Sequence, residues 1–173
     1  MYNILKKLKE TDTIAEFYAN HDDYDKFIVG YVNSISEEDI VIFCLDPHGK
    51  FDGYIALHID NIYKIEIETI YLNKIRKLFQ PIPPMAHFNK KNLFTNILEI
   101  ANQRNNIAIV SIIDLEIVIR GYVEDISDEI ITIQQIDEYG NMDGKCMFYT
   151  ADIIRIIIQD SECIELEKLS YGN

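Results

Sequence analysis

The chain has 173 residues, 48% of them hydrophobic, which suits one ordinary domain or two very small ones with packed cores. Its formal net charge of −13 at pH 7 repels phosphate backbones and attracts basic surfaces, so nucleic acid is a disfavoured partner. No apolar run approaches the roughly 20 residues of a membrane helix, and the first residues lack the apolar core of a secretory signal, so we expect a cytoplasmic protein without membrane contact.

Apolar spacing predicts a single order of elements in the first half of the chain. A helix in "YNILKKLKE" precedes strands in "TIAEFYAN", "DKFIVGYVNSIS", "DIVIFCLD", "GYIALHI" and "IYKIEIE". The apolar residues of 71–79 then indicate a closing helix, which the prolines of "PIPPM" cannot continue. Abundant isoleucine favours strands, because β-branched side chains lose rotamer freedom in helices.

The same order recurs in the second half, which begins with a helix in "NKKNLFTNILEIANQR". Residues 28–53 align without a gap with residues 119–144, at a constant offset of 91. The first copy has a longer loop at "NHDDYD", between its first two strands. Such a repeat predicts two copies of one small domain, residues 1–80 and 85–173, joined by a Pro-rich linker at 81–84.

One helix followed by five short antiparallel strands, with a glycine inside the second strand, resembles the Sm-like small barrel, which is one of the SH3-like barrels. The first Sm motif is matched in the two copies by Ile28, Gly30, Val32 and Ile35, and by Ile119, Gly121, Val123 and Ile126. Residues 58–65, "HIDNIYKI", resemble the second motif. The resemblance implies a mainly β chain with short helices, folded as two tandem five-stranded antiparallel barrels whose exposed edge strands could form homo-oligomers.

The chain departs from the Sm family where that family binds RNA. The family's pocket aspartate is replaced by Ser36 in the first copy and by Ser127 in the second. Its pocket asparagine is replaced by Ile40 and Ile131, and the Arg-Gly of the second motif is missing. The resemblance therefore implies the fold without the RNA site.

The stretch "DPHGKFDGY", residues 46–54, could be a metal site, a protein-contact loop or a turn. It recurs in the second copy as "DEYGNMDGK", with the same aspartates and glycines, whereas His48 becomes Tyr139. Aspartate that caps its own backbone and glycine with positive φ are turn chemistry, and Asp-Gly is a strong hairpin signal. We interpret the stretch as a duplicated hairpin, in which any contact with a ligand or partner at His48 is specific to the first copy.

Acidic residues occupy the turn between the second and third strands of both copies, namely Glu37, Glu38 and Asp39, and Asp128 and Glu129. This turn is either a solvated hairpin or a negative surface that recognises a basic protein. Tyr31 and Tyr122, each next to the glycine of the second strand, are either core residues or exposed aromatic anchors for a partner.

Motifs for catalysis and for cofactors are missing. The sequence contains no nucleophile elbow, phosphate-binding glycine loop or zinc-ligand spacing, so we expect no enzyme, no cofactor and no metal site. The three cysteines, Cys44, Cys146 and Cys163, are odd in number and fall at no metal-type spacing, which indicates buried, reduced thiols.

These patterns favour a non-catalytic, acidic protein-interaction module. Its basic partner would be neutralised or regulated as an antitoxin, an immunity protein or a phage-encoded inhibitor acts on its target. Two alternatives belong to other classes: a small-ligand or nucleotide-binding protein that uses a cleft between the barrels, and an RNA-binding Sm-like protein.

Overall fold

A computed structural model describes residues 1–20, 23–79, 86–88, 91–127 and 129–171. The chain forms two compact units, Met1–Leu93 and Phe94–Asn173. The predicted linker at 81–84 lies outside the described residues. Residues 86–88 belong to the first unit, because the Ala86 N–H donates to the Tyr54 hydroxyl (2.8 Å) and Phe88 packs on the Tyr54 ring. None of the helices in the described ranges is long and apolar enough to cross a membrane.

The first unit is a five-stranded antiparallel sheet with a helix at each end of the chain segment. Its strands pair in the order β5-β1-β2-β3-β4. The elements are α1 (Tyr2–Glu10), β1 (Ala15–Tyr18), β2 (Ile28–Ile35), β3 (Asp39–Leu45), β4 (Phe51–His58), a 3₁₀ turn (Ile59–Asn61), β5 (Lys64–Glu66) and α2 (Ile70–Leu78).

The second unit repeats this order, with its strands paired as β10-β6-β7-β8-β9. The elements are α3 (Leu93–Arg104), β6 (Ile107–Ile112), β7 (Val118–Ile126), β8 (Ile130–Ile136), β9 (Met142–Tyr149), a 3₁₀ turn (Thr150–Asp152), β10 (Ile153–Ile158) and α4 (Ser161–Tyr171). The predicted mainly β architecture with short helices is therefore confirmed, and the second unit also ends in a helix.

Closed barrels, in contrast, are not confirmed. In each unit the two strands at the ends of the sheet, β5 and β4 or β10 and β9, do not pair with each other within the described residues. In the first unit the 3₁₀ turn leads from β4 to the opposite end of the sheet, where β5 has only three residues and pairs with β1. Both sheets are therefore open within the described residues, whereas the Sm-like resemblance implied closure.

Each sheet is covered by helices that bury apolar side chains. In the first unit, Leu5 and Leu8 of α1 pack with Phe17, Val32 and Ile42 of the sheet. In the second unit, Cys163 and Leu166 of α4 pack with Ile107, Ile109 and Ile136. Helix α4 therefore lies against β6 and β8, and this position defines one wall of the groove described below.

The glycine in the second strand of each unit allows two strands to approach closely. A Cβ at Gly30 would overlap the carbonyl oxygen of Phe43, and a Cβ at Gly121 would overlap that of Gln134. Both glycines lie opposite a residue of the next strand, Cys44 or Gln135. Close approach of the neighbouring backbone therefore requires glycine at this position in both units.

Candidate functional site

The hairpin "DPHGKFDGY" is a turn supported by its own aspartate. In the first unit Asp46 Oδ1 accepts hydrogen bonds from the backbone N–H groups of His48 and Lys50, both at 2.8 Å. In the second unit Asp137 Oδ1 accepts from Tyr139 and Asn141, at 2.9 and 2.8 Å. The side-chain amide of Asn141 also donates to Asp137, and this bond is the largest cause of the lowered pKa of Asp137. The backbone hydrogen bonds lower that pKa further. The predicted turn chemistry is confirmed at this position.

The turn also packs against the closing helix of its own unit. Gly49 and Gly140 have positive φ, of 73° and 81°. A Cβ at Gly49 would lie 2.9 Å from the carbonyl carbon of Leu78, and one at Gly140 would lie 2.7 Å from the nitrogen of Ser170. These glycines therefore serve both the turn and its contact with the helix end. His48 is exposed at the tip, and a binding role for it stays a prediction.

The Asp-Gly pair of the stretch is not the hairpin turn that the sequence indicated. Asp52 and Gly53 lie inside β4, where the pairing register with β3 shifts between Phe43 and Leu45. Gly53 has a φ of 81°, and Gly144 has the equivalent position in β9 with a φ of 76°. One additional residue opposite the neighbouring strand makes this a β-bulge, which bends the strand after the turn.

The acidic turns between the second and third strands have the same hydrogen bonds in both units. The Ile59 N–H donates to the Glu38 carbonyl oxygen (2.8 Å), and the Thr150 N–H donates to that of Glu129 (2.9 Å). The side chains of Glu37, Glu38 and Glu129 are exposed. Asp128 lies outside the described residues. The turns are therefore fixed at their backbones while these three carboxylates face solvent.

Asp39 differs from the other acidic residues of its turn because it has a local partner. Its Oδ1 lies 2.7 Å from His58 Nδ1, across the β3–β4 pair. The equivalent pair in the second unit is Ile130 and Tyr149, both exposed. Asp39 is half-buried and is less available to a partner protein than Glu37 and Glu38.

Small cavities border both acidic turns, with different charges around them. The first, of about 410 Å³, is lined by Glu37 and by Lys6, Lys9 and Glu10 of α1. The second, of about 470 Å³, lies at Glu129 and is lined also by Tyr149, Thr150, Ala151 and Asp152. The negative charge of the first turn is thus partly balanced by lysines, whereas the second cavity has an acidic and aromatic lining.

Tyr31 and Tyr122 are both half-buried. The Tyr31 ring contacts Phe79 edge to face at a centroid distance of 6.1 Å, and burial raises the pKa of its hydroxyl. Tyr122 packs against the core of the second unit. Each ring therefore has a packing role within its own unit. A role of Tyr31 and Tyr122 as anchors for a partner stays a prediction.

The three cysteines carry free thiols. Cys44 and Cys163 are buried, as the sequence predicted, whereas Cys146 is half-buried. Burial raises the pKa of Cys163, so its thiol is held in the unreactive, protonated form. No group of three or more His, Cys, Asp or Glu side chains in the described ranges is placed to hold a metal ion.

A groove on the second unit was not found by sequence reasoning. It has a volume of about 660 Å³ and lies between α4 and the hairpin at residues 137–141, over strands β7 and β8. Its apolar lining consists of Val118, Ile136, Leu166 and Leu169. We call it the α4 groove. Its residues come from three distant segments, so no local motif could have indicated it.

Charged and aromatic side chains form the rim of the α4 groove. Glu138, Glu162 and Glu165 contribute carboxylates, and Tyr139 contributes a ring that is 67% exposed. Among the described residues, Arg120 is the only basic residue of the lining, and its Nε donates to Glu162 Oε1 at 2.7 Å. The guanidinium is therefore already engaged, and the rim is negative.

A buried carboxylate in the first unit was also missed. Glu16 of β1 is 3% exposed and accepts hydrogen bonds from the hydroxyls of Thr69 (2.5 Å) and Tyr18 (3.1 Å). The Tyr18 hydroxyl also contacts Glu66 Oε2 at 2.7 Å, and Lys64 lies 3.5 Å from the centroid of the Tyr18 ring. The hydrogen bond from Tyr18 lowers the pKa of Glu66, with smaller help from Lys64.

Replacing Tyr18 by phenylalanine is expected to raise the pKa of Glu66 toward its ordinary value, because the largest cause of the lowered pKa is removed. A carboxyl with a lowered pKa contributes stability above its unfolded pKa and loses that contribution as the pH falls. As the pH falls, the free energy of unfolding of the variant should therefore decrease less steeply than that of the wild-type chain. NMR titration of the Glu66 carboxyl and urea unfolding across acidic pH measure both effects. Tyr2→Phe is the control, and an unchanged Glu66 pKa in Tyr18→Phe contradicts the prediction.

Comparisons with known proteins add no family assignment: no protein-family model, curated protein or solved structure matches this chain.

Proposed function

We propose that this chain is a non-catalytic binding protein that neutralises or regulates a basic partner protein, as an antitoxin, an immunity protein or a phage-encoded inhibitor would. The observation that carries the proposal is the repeated acidic turn, with exposed Glu37 and Glu38 in one unit and exposed Glu129 in the other. The turn backbones are fixed by equivalent hydrogen bonds. Because the turn backbones are already fixed, binding orders only the side chains, and a net charge of −13 accelerates the approach of a basic surface.

The proposal includes a Sm-like origin for each unit. It is supported by the shared strand order and by the close approach at Gly30 and Gly121. Pairing of edge strands into homo-oligomers remains part of the proposal, and the exposure of Met147 and Tyr149 on β9 favours it, since exposed apolar side chains on an edge strand support association. A cytoplasmic location is proposed with it.

The test of the acidic turns is a charge reversal. A partner is captured from the lysate of the source cell on the immobilised chain, purified, and titrated against the chain over a range of salt concentrations. Glu37→Lys/Glu38→Lys is expected to weaken binding by about tenfold at low salt, because like charges then face the basic surface. Binding of the wild-type chain should also weaken as salt rises.

The matched control is Glu68→Lys/Glu116→Lys, which changes the net charge equally at two exposed positions outside the turns. If both double variants weaken binding to the same extent, total charge and not the turn determines the affinity. Binding that is as tight at high salt as at low salt would contradict the proposal as well.

A further inference from the structure

The α4 groove is open in the second unit because small or charged residues replace aromatic ones. By the offset of 91, Val118 and Glu162 correspond to Phe27 and Tyr71 of the first unit. The rings of Phe27 and Tyr71 contact each other edge to face, with centroids 5.6 Å apart. In the first unit, the corresponding space between helix and sheet therefore holds an aromatic pair. In the second unit, the side chains of Val118 and Glu162 leave a groove of about 660 Å³.

The charge of the groove also differs between the units. Glu165 of the rim corresponds to Lys74, which lies 5.7 Å from the Tyr71 ring centroid. Glu138 corresponds to Pro47. The floor positions are apolar in both units, whereas the carboxylates of the rim are replaced in the first unit by Pro47, Tyr71 and Lys74. Since Arg120 is engaged by Glu162, a ligand would meet Glu138 and Glu165 as negative groups.

We propose that the α4 groove binds a basic, partly apolar segment of the partner protein. An apolar side chain of the segment covers the floor at Val118 and Leu169, the two apolar lining residues that are not buried, and an arginine or lysine contacts the carboxylates of Glu138 and Glu165. The exposed Tyr139 ring supplies a cation–π contact for the same basic group. The inference rests on the proposed function, since it names the chemistry of the segment that the acidic protein recognises.

The floor and the rim together select this occupant. Covering the apolar floor stabilises the complex only if the ligand places an apolar side chain there. A simple polycation therefore complements the charge of the rim but buries no apolar surface on the floor. An acidic or neutral apolar segment satisfies the floor but meets like charge or no charge at the rim. A segment with alternating apolar and basic side chains complements both the floor and the rim, because it places apolar side chains on the floor and basic side chains at the carboxylates.

The experiment uses the full chain and synthetic decapeptides with a fluorescent label. The binding peptide alternates leucine and arginine; two others alternate leucine with glutamate and serine with arginine. Fluorescence anisotropy should show binding of the leucine–arginine peptide, at least about tenfold weaker binding of the serine–arginine peptide, and no saturable binding of the leucine–glutamate peptide. Spermidine should compete poorly. Equal affinity for the two arginine peptides would overturn the proposal.

Two variants test the place of binding. Val118→Phe fills the groove with the residue of the first unit and leaves the charge unchanged, and Glu138→Gln/Glu165→Gln (the rim variant) removes the two rim charges that would contact the basic group. Each is expected to weaken binding of the leucine–arginine peptide by about tenfold. Glu37→Gln/Glu38→Gln has the same net charge as the rim variant and should change binding less than about twofold. Thermal unfolding of each variant verifies that it is folded.

The failure of this inference can be distinguished from failure of the proposed function. If the purified basic partner loses affinity for Glu37→Lys/Glu38→Lys but not for Val118→Phe or the rim variant, the acidic turns bind the partner and the groove inference is wrong. The opposite result is that the leucine–arginine peptide shifts the NMR signals of Tyr139 and Leu166, while the affinity of the partner is unchanged by Glu37→Lys/Glu38→Lys. In that case the groove binds basic segments and the turn proposal is wrong.

Discussion

Replacing Gly30 by alanine is expected to lower the free energy of unfolding by about 3 kcal/mol, because the new methyl group has no space. The atom in its way is the backbone carbonyl oxygen of Phe43, and the Cβ would also lie 3.0 Å from Cγ2 of Ile42. A flexible side chain could rotate away, whereas a paired strand can move only by separating from its neighbour. Urea unfolding followed by circular dichroism measures the change.

Gly144→Ala is the matched control for this effect. Gly144 also lies in a strand, but nothing is within 4 Å of the position of its Cβ. Its φ of 76° makes alanine unfavourable for a different reason, a strained backbone, which costs about 1 kcal/mol. The two substitutions therefore separate steric overlap from backbone strain, and equal losses of stability would show that close strand approach is not what requires glycine at position 30.

The elements of both units, apart from α4, could be predicted from the sequence because their signals are local. Alternating isoleucines in residues 40–42 and 131–133, turn aspartates and the repeated glycine each depend on residues close in the chain. The repeat strengthened every such prediction, since the turn aspartates and glycines recur in the second copy, whereas His48 does not. The Asp-Gly bulge was misassigned because the same dipeptide serves a hairpin or a bulge, and only the pairing register distinguishes the two.

The α4 groove and the open sheets could not be predicted because they depend on distant residues. The groove is lined by Val118, on β7, and Glu162, on α4, whereas the equivalent residues of the first unit, Phe27 and Tyr71, pack ring against ring. Likewise, closure of a sheet depends on whether its two end strands meet. Neither a side-chain volume across two elements nor the pairing of remote strands is encoded in a periodic pattern.

The burial of Glu16 was hidden by its pattern in the sequence. In "AEFY" a glutamate between apolar residues indicates the solvent side of a half-buried strand. The structure instead buries all four residues of β1, and the hydroxyl of Thr69 at the start of α2 reaches the Glu16 carboxylate. This arrangement makes Thr69 a critical residue.

Replacing Thr69 by valine is expected to lower the free energy of unfolding by about 3 kcal/mol, since two hydrogen bonds are lost at once. The Thr69 hydroxyl donates to Glu16 Oε1 at 2.5 Å and accepts from the Leu72 N–H at 3.1 Å, as the N-cap of α2. Valine has nearly the same shape, so the loss is one of polar contacts and not of packing. A buried carboxylate that loses a donor becomes costly, because water cannot replace the bond.

Thr69→Ser separates these contacts from the methyl group, because serine retains the hydroxyl and is itself a strong N-cap residue. We expect it to lose less than about 1 kcal/mol, the transfer free energy of one methyl group. A double-mutant cycle of Thr69→Val with Glu16→Gln should show coupling, since glutamine removes the charge that the Thr69 hydroxyl stabilises. Additive losses in that cycle would mean that the cap of α2, and not the buried carboxylate, accounts for the effect of Thr69.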